Sequence, residues 1–157
     1  MKSFWFSAYT FILALWVGGM ALFTFMVTPL IFRSYTRDIA GDIVGKLFPG
    51  YFPYNLALSA LALILLYVAS GNHAQTSYRA SLILVVLALI VNIFITVKLY
   101  PEAVRVKQKI TSFEREPADS IVRREFACLH ALSASLNILL LGDGIALLLV
   151  SPFITRR

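Results

Sequence analysis

The sequence predicts an all-α integral membrane protein: a four-helix bundle running up-down-up-down, with a helical cytoplasmic loop between spans three and four. Three observations predict it. Hydrophobic residues make up 59% of the 157-residue chain and charged residues only 14%, against about 45–50% and about 25% in soluble domains. A chain this short has too much surface to hide that excess in a core. Four apolar stretches approach or exceed the roughly 20 residues that a spanning helix needs. None alternates strictly, as strands of a membrane barrel do, and only helices or closed barrels satisfy backbone polar groups in lipid.

Span one covers residues 4–32 and carries no charge. It is too long for the core of a signal peptide, about 7–15 residues, and is read as a retained helix. Span two covers 52–70, with Tyr51 and Phe52 as aromatic anchors at its start. Span three covers 80–99, and span four covers 126–154 with one charge, Asp143. The whole chain, 1–157, reads as one membrane domain. In the polar segment between spans three and four, Pro101 suits a first helical turn. Val106, Ile110 and Phe113 form an apolar stripe at helical spacing. Pro117 interrupts it, and Asp119 or Ser120 is placed to cap span four.

The net charge of +6 does not point to nucleic acid, because the basic residues flank apolar spans, the pattern of lipid headgroups and topology signals. Segments 33–50 and 98–125 hold Arg33, Arg37, Lys46, Lys98, Arg105, Lys107, Lys109, Arg115, Arg123 and Arg124. The opposite side holds Lys2, Arg79, Arg156 and Arg157. The positive-inside rule therefore puts loops 33–50 and 98–125 in the cytoplasm and both termini outside. The membrane expected is a bacterial inner membrane. The single cysteine, Cys128, excludes an intramolecular disulfide.

Each span carries small or polar residues at helical steps: Ser7, Thr10, Ala14, Gly18, Ala21, Thr24 and Thr28; Asn55, Ser59 and Ala62; Ser81, Ala88 and Asn92; His130, Ser133, Asn137, Gly144 and Ser151. Small residues let membrane helices approach and hydroxyls and amides bond across the contact, so these stripes are expected to face one another. By depth, Thr24, Thr28, Asn55, Asn92, His130 and Asn137 fall in the half of the bilayer beside loops 33–50 and 98–125. The expected binding residues are His130, Asn137, Asn92, Asn55, Ser133 and Thr28. One reading is a lock on helix register; the other is a small-solute, ion or metal site, since polar groups in a membrane are costly and often functional.

His130 is the only imidazole within a span, and the other histidine, His73, lies on the opposite side, so bis-histidine haem ligation within one chain is not expected. Met20 and Met26 are soft enough for copper but fall on different helix faces. Asp143, between Gly142 and Gly144, has no Lys or Arg at its depth. A proton or cation role and a neutral hydrogen-bonded acid are both open, and its position about 120° from the Asn137 face favours contact with a partner. No phosphate loop, nucleophile elbow or zinc spacing is present, and catalysis has no positive support.

Three blocks resemble a known family: Trp16-Val17-Gly18-Gly19 with Thr28-Pro29-Leu30-Ile31-Phe32; Gly45-Lys46-Leu47-Phe48-Pro49-Gly50-Tyr51-Phe52; and Phe126-Ala127-Cys128-Leu129-His130-Ala131-Leu132-Ser133, followed by Asn137. They are similar to the transmembrane-protein-205-like family, a four-helix domain of unknown function distantly similar to CopD-type copper-resistance proteins and to HemJ. The resemblance implies this fold, leaves the activity open and brings haem or copper into consideration. It points to Pro29, Lys46, Phe48, Pro49, Asn92, His130, Ser133 and Asn137. The chain lacks the first-span histidine that HemJ-like proteins carry. The functions expected are therefore a membrane protein that binds or passes a small solute or metal ion in the inner polar cluster, or an accessory subunit of a larger membrane complex or homo-oligomer. A haem- or redox-linked role is the third.

Overall fold

A computed structural model describes residues 2–69, 76–117 and 119–154. All the regular elements among them are helices: α1 (Lys2–Leu22), α2 (Thr28–Ser34), α3 (Arg37–Ala69), α4 (Thr76–Phe94), α5 (Tyr100–Lys107) and α6 (Ile121–Ile154). Four continuous rods result, at Phe4–Ser34, Arg37–Ala69, Thr76–Lys107 and Ile121–Phe153, each long and apolar enough to cross a membrane. The first rod packs on the second and fourth, and the third closes the ring between them. The chain is an all-α four-helix membrane bundle.

Two rods contain a wider turn, and proline explains both. A five-residue π turn, Phe23–Val27, joins α1 to α2, and another, Ile95–Leu99, joins α4 to α5. Proline has no N–H, and its ring collides with the carbonyl four residues back. For Pro29 and Pro101 those carbonyls belong to Phe25 and Val97, each inside a π turn. The Thr28 N–H bonds to Phe23 O and the Tyr100 N–H to Ile95 O, five residues back. The wide turn thus lets the helix pass its proline without ending.

The segment 33–50 is polar but not irregular. From Arg37 onward it is the first part of α3, which runs through Pro49 and Pro53. At 33 residues and about 1.5 Å per residue, α3 exceeds a hydrocarbon core of about 30 Å, so its charged start projects beyond the bilayer. Segment 98–125 is helical through Lys107 and then turns before α6. Ser120 caps α6, its Oγ accepting from the Arg123 N–H at 3.3 Å. Asp38 fastens the turn region, accepting from Ser112 Oγ and from the Phe113 N–H, each at 2.6 Å.

The interior is built from large side chains. Tyr9, Leu13, Trp16 and Met20 of α1 meet Phe52, Ala62 and Leu66 of α3, Val85, Ala88 and Ile95 from the third rod, and Leu140 and Leu147 of α6. This corrects one expectation. In α1, Ser7, Ala14 and Gly18 are exposed; positions 9, 13, 16 and 20 share a face at the same helical steps, and their larger side chains fill the interior. In the other rods Asn55, Ser59, Ala62, Ser81, Ala88, Asn92, Gly144 and Ser151 are buried. Two glycines set close approaches. A Cβ on Gly144 would stand 2.7 Å from Val17 Cγ2, and one on Gly19 would stand 2.7 Å from Tyr54 Oη. The Tyr54 hydroxyl, lying over Gly19, donates to Leu15 O at 2.7 Å. Outward lie Phe11, Phe25, Ile64, Ile83, Ile90, Leu139 and Leu149, a surface that only lipid or another membrane protein can cover.

Candidate functional site

A cavity of about 310 Å3 opens in the half of the bundle beside segments 33–50 and 98–125. Four elements build it. The first rod contributes Thr28 and Phe32 after its π turn. The start of α3 contributes Arg37, Gly41, Val44, Gly45, Phe48 and Phe52. Leu99, Tyr100, Ala103, Val104 and Lys107 come from the end of the third rod, and Phe126, His130 and Ser133 from the start of α6, with Phe113 above them.

The walls are aromatic and held by one another. Phe48 stacks on Phe52 with ring centres 5.0 Å apart, and Tyr100 lies 5.2 Å from Phe52. Phe126 sits between Phe113, at 5.2 Å, and the parallel ring of His130, at 6.0 Å. Arg123 caps the Phe113 face at 5.8 Å, a cation–π contact. Rings braced in this way leave the apolar lobe little freedom to collapse.

The polar rim comes from α3 and α5. Lys107 Nζ donates to Gly41 O at 2.9 Å and to Asp42 Oδ1 at 2.8 Å. Gly41 and Gly45 lie four apart and so on one face. A Cβ on either would stand in ordinary contact with Lys107 Nζ, at 3.9 Å and 3.4 Å, so the ammonium lies over this face of α3. Arg37 also lines the cavity, and among the described residues it makes no hydrogen bond or ion pair.

One turn deeper, the polar residues are tied together. The Tyr51 hydroxyl donates to Asn137 Oδ1 at 2.5 Å, and Asn137 Nδ2 donates to Thr24 Oγ1 at 2.8 Å. Asn55 Nδ2 donates to Tyr51 O at 2.9 Å. The Tyr51 ring stacks on Phe23 with centres 4.1 Å apart. This chain of bonds joins the first, second and fourth rods and forms the floor below the cavity.

The six expected binding residues therefore divide. Thr28, His130 and Ser133 line the cavity; Asn137 and Asn55 belong to the bonded floor. Asn92 is buried, its Nδ2 has no hydrogen-bond partner among the described residues and it does not line the cavity. Of the residues marked by the family resemblance, Phe48 is a wall, whereas Lys46 and Pro49 are exposed. Asp143, expected at a partner contact, is half-buried, with its Oδ2 near Tyr9 and without a hydrogen-bond partner among the described residues. The tight seat of Gly144 against Val17 draws this turn of α6 toward α1. His73 lies outside the described residues.

Sequence reasoning missed Arg37, Lys107, Tyr51 and the aromatic walls other than Phe48. Arg37 and Lys107 were counted as topology charges, and Tyr51 as an interfacial anchor. No cluster of three or more His, Cys, Asp or Glu occurs among the described residues, and His130 is the one such residue lining the cavity.

The fold and site define a polytopic integral membrane protein with a cavity in one half of its bundle. Residues 11–112 match a family described as a domain of unknown function (DUF4149), and the chain belongs to that family. No curated protein and no solved structure matches it. The match takes in the first three rods and stops before α6, so His130, Ser133 and Asn137 lie beyond it.

Proposed function

We propose that this protein binds a small solute in the cavity beside segments 33–50 and 98–125, admitting it from that side of the membrane. The observation that carries this reading is a cavity of about 310 Å3, within the range of small-molecule sites, lined by Thr28, His130 and Ser133. The excess of Lys and Arg in the two flanking segments supports a cytoplasmic opening; the membrane we infer is a bacterial inner membrane. The narrower resemblance to the transmembrane-protein-205-like family, and through it to CopD and HemJ, adds nothing to this reading. The test uses Ser133→Cys in a Cys128→Ala background, since Cys128 is a free exposed thiol. A membrane-impermeant thiol reagent added on the loop side modifies the thiol placed at position 133. Adding Ala103→Phe, which fills the cavity, slows that reaction sharply. A thiol that stays inert, or that reacts at the same rate when Ala103→Phe is added, sinks the reading.

A second reading, an accessory subunit or homo-oligomer, rests on a different observation. Ser7, Ala14 and Gly18 put a small-residue strip on the outer face of α1, and a Cβ on Gly18 would meet nothing within 4 Å. Such strips let membrane helices approach closely. Cross-linking through Ala14→Cys in native membranes tests it; absence of any cross-linked species counts against it.

A further inference from the structure

Charge around the cavity narrows what it takes. Its lining holds Arg37, Lys107 and His130 and no acid. Three acids near the mouth are held by protein donors, and of these only Asp42 is paired with a cation. Asp42 accepts from Lys107, Asp38 from Ser112 and the Phe113 N–H, and Glu116 from the Thr111 N–H. Lys107 commits two donors to Gly41 and Asp42, and an ammonium has three. Arg37, with none of its donors committed among the described residues, presents a planar fork suited to a carboxylate or phosphate. Below this rim the walls are aromatic and offer few polar partners: Thr28, Ser133 and the imidazole of His130. A small polar anion would leave the aromatic lobe unfilled, and a neutral apolar molecule would make no use of the exposed Arg37 guanidinium and the free donor of Lys107 at the rim.

We propose that the ligand is an amphiphilic anion, with its apolar body among Phe48, Phe52, Tyr100 and Phe126 and its carboxylate or phosphate head at Arg37 and Lys107. This rests on the solute-binding reading above and names the class of solute. The volume, about 310 Å3, suits one short chain or a small ring system, not a whole two-chain lipid. The head could come from a soluble amphiphile or from a phospholipid that inserts its headgroup and part of one chain.

The experiment uses Ser133→Cys in the Cys128→Ala background and measures how its thiol reacts with a negatively and a positively charged methanethiosulfonate, each rate normalised to free cysteine. The anionic reagent is favoured by roughly fivefold or more, as local potentials of this kind allow. Arg37→Gln removes most of that preference and Arg37→Lys restores part of it. In neutral phosphatidylcholine discs, decyl phosphate protects the thiol and decyltrimethylammonium at the same concentration does not. Protection by phosphatidylglycerol in the disc, without decyl phosphate, assigns the head to a lipid; protection only by added decyl phosphate assigns it to a soluble amphiphile. An unreactive thiol at position 133 overturns the cavity reading itself. A reactive thiol with no anion preference, a preference unchanged in Arg37→Gln, or equal protection by the cationic amphiphile overturns the anion inference alone.

Discussion

The half of the bundle beside segments 33–50 and 98–125 and the half that holds Asp143 are both polar, and they differ in space. In the far half, Tyr9, Leu13, Val85 and Leu147 are completely buried, and Gly144 admits Val17 to where its own Cβ would be. Both halves hold buried polar atoms without a hydrogen-bond partner among the described residues, Asp143 Oδ2 in the far one and Asn55 Oδ1 and Asn92 Nδ2 in the near one, while Tyr9 Oη lies beside Ser81. In the near half, Thr24, Tyr51 and Asn137 bond to one another across three rods, and above them lies the cavity. Polarity alone therefore does not mark the site. Close packing marks the part of this bundle that holds it together, and a void braced by aromatic rings marks the part where we propose that a ligand binds.

Substitutions can break or sharpen this contrast. The largest effect falls in the far half. Gly144→Leu forces a side chain into the contact with Val17 and lowers stability by about 2–3 kcal/mol, measured by unfolding in mixed micelles. Tyr51→Phe, at the floor of the near half, leaves Asn137 Oδ1 without its donor and costs about 1 kcal/mol, in line with hydrogen bonds between membrane helices. Ala103→Phe adds a ring where there is space, so it leaves stability unchanged or raises it by up to about 1 kcal/mol. A loss as large as that of Gly144→Leu would mean that the near half is as dense as the far half. Arg105→Ala removes an exposed ion pair with Glu102 and changes stability by less than about 0.5 kcal/mol.

The four rods were legible because hydropathy alone sets them. Counting residues from a loop gives position along a helix, and it puts Thr28 and His130 at the end of the bundle where the cavity lies. What hid the rest was the habit of equating polar with irregular. Arg37, Asp42 and Lys46 fall in a segment that reads as a loop, with Pro49 and Pro53 after it, yet the segment is continuous with α3. Lys107 likewise belongs to the rod that crosses the membrane. Once both segments are helical, their charges become side chains at fixed heights and angles, and Arg37 and Lys107 join the cavity. The outward turn of Ser7, Ala14 and Gly18 was not legible for another reason. Two faces of α1 carry residues at helical steps, and side-chain volume decides which one fills the interior.

The π turns at Phe23–Val27 and Ile95–Leu99 make the cavity a matter of phase. Each adds a residue to its helix, and one residue advances an α-helix by about 100°. Removing one residue from either turn would leave the apolar length of the rod almost unchanged. It would nonetheless swing Thr28 and Phe32, or Tyr100, Ala103 and Lys107, about a quarter of the way around the axis. Two walls of the cavity are thus aimed by residue counting, so point substitutions and single-residue deletions in these turns affect different things: the first change what the walls are made of, the second where they face.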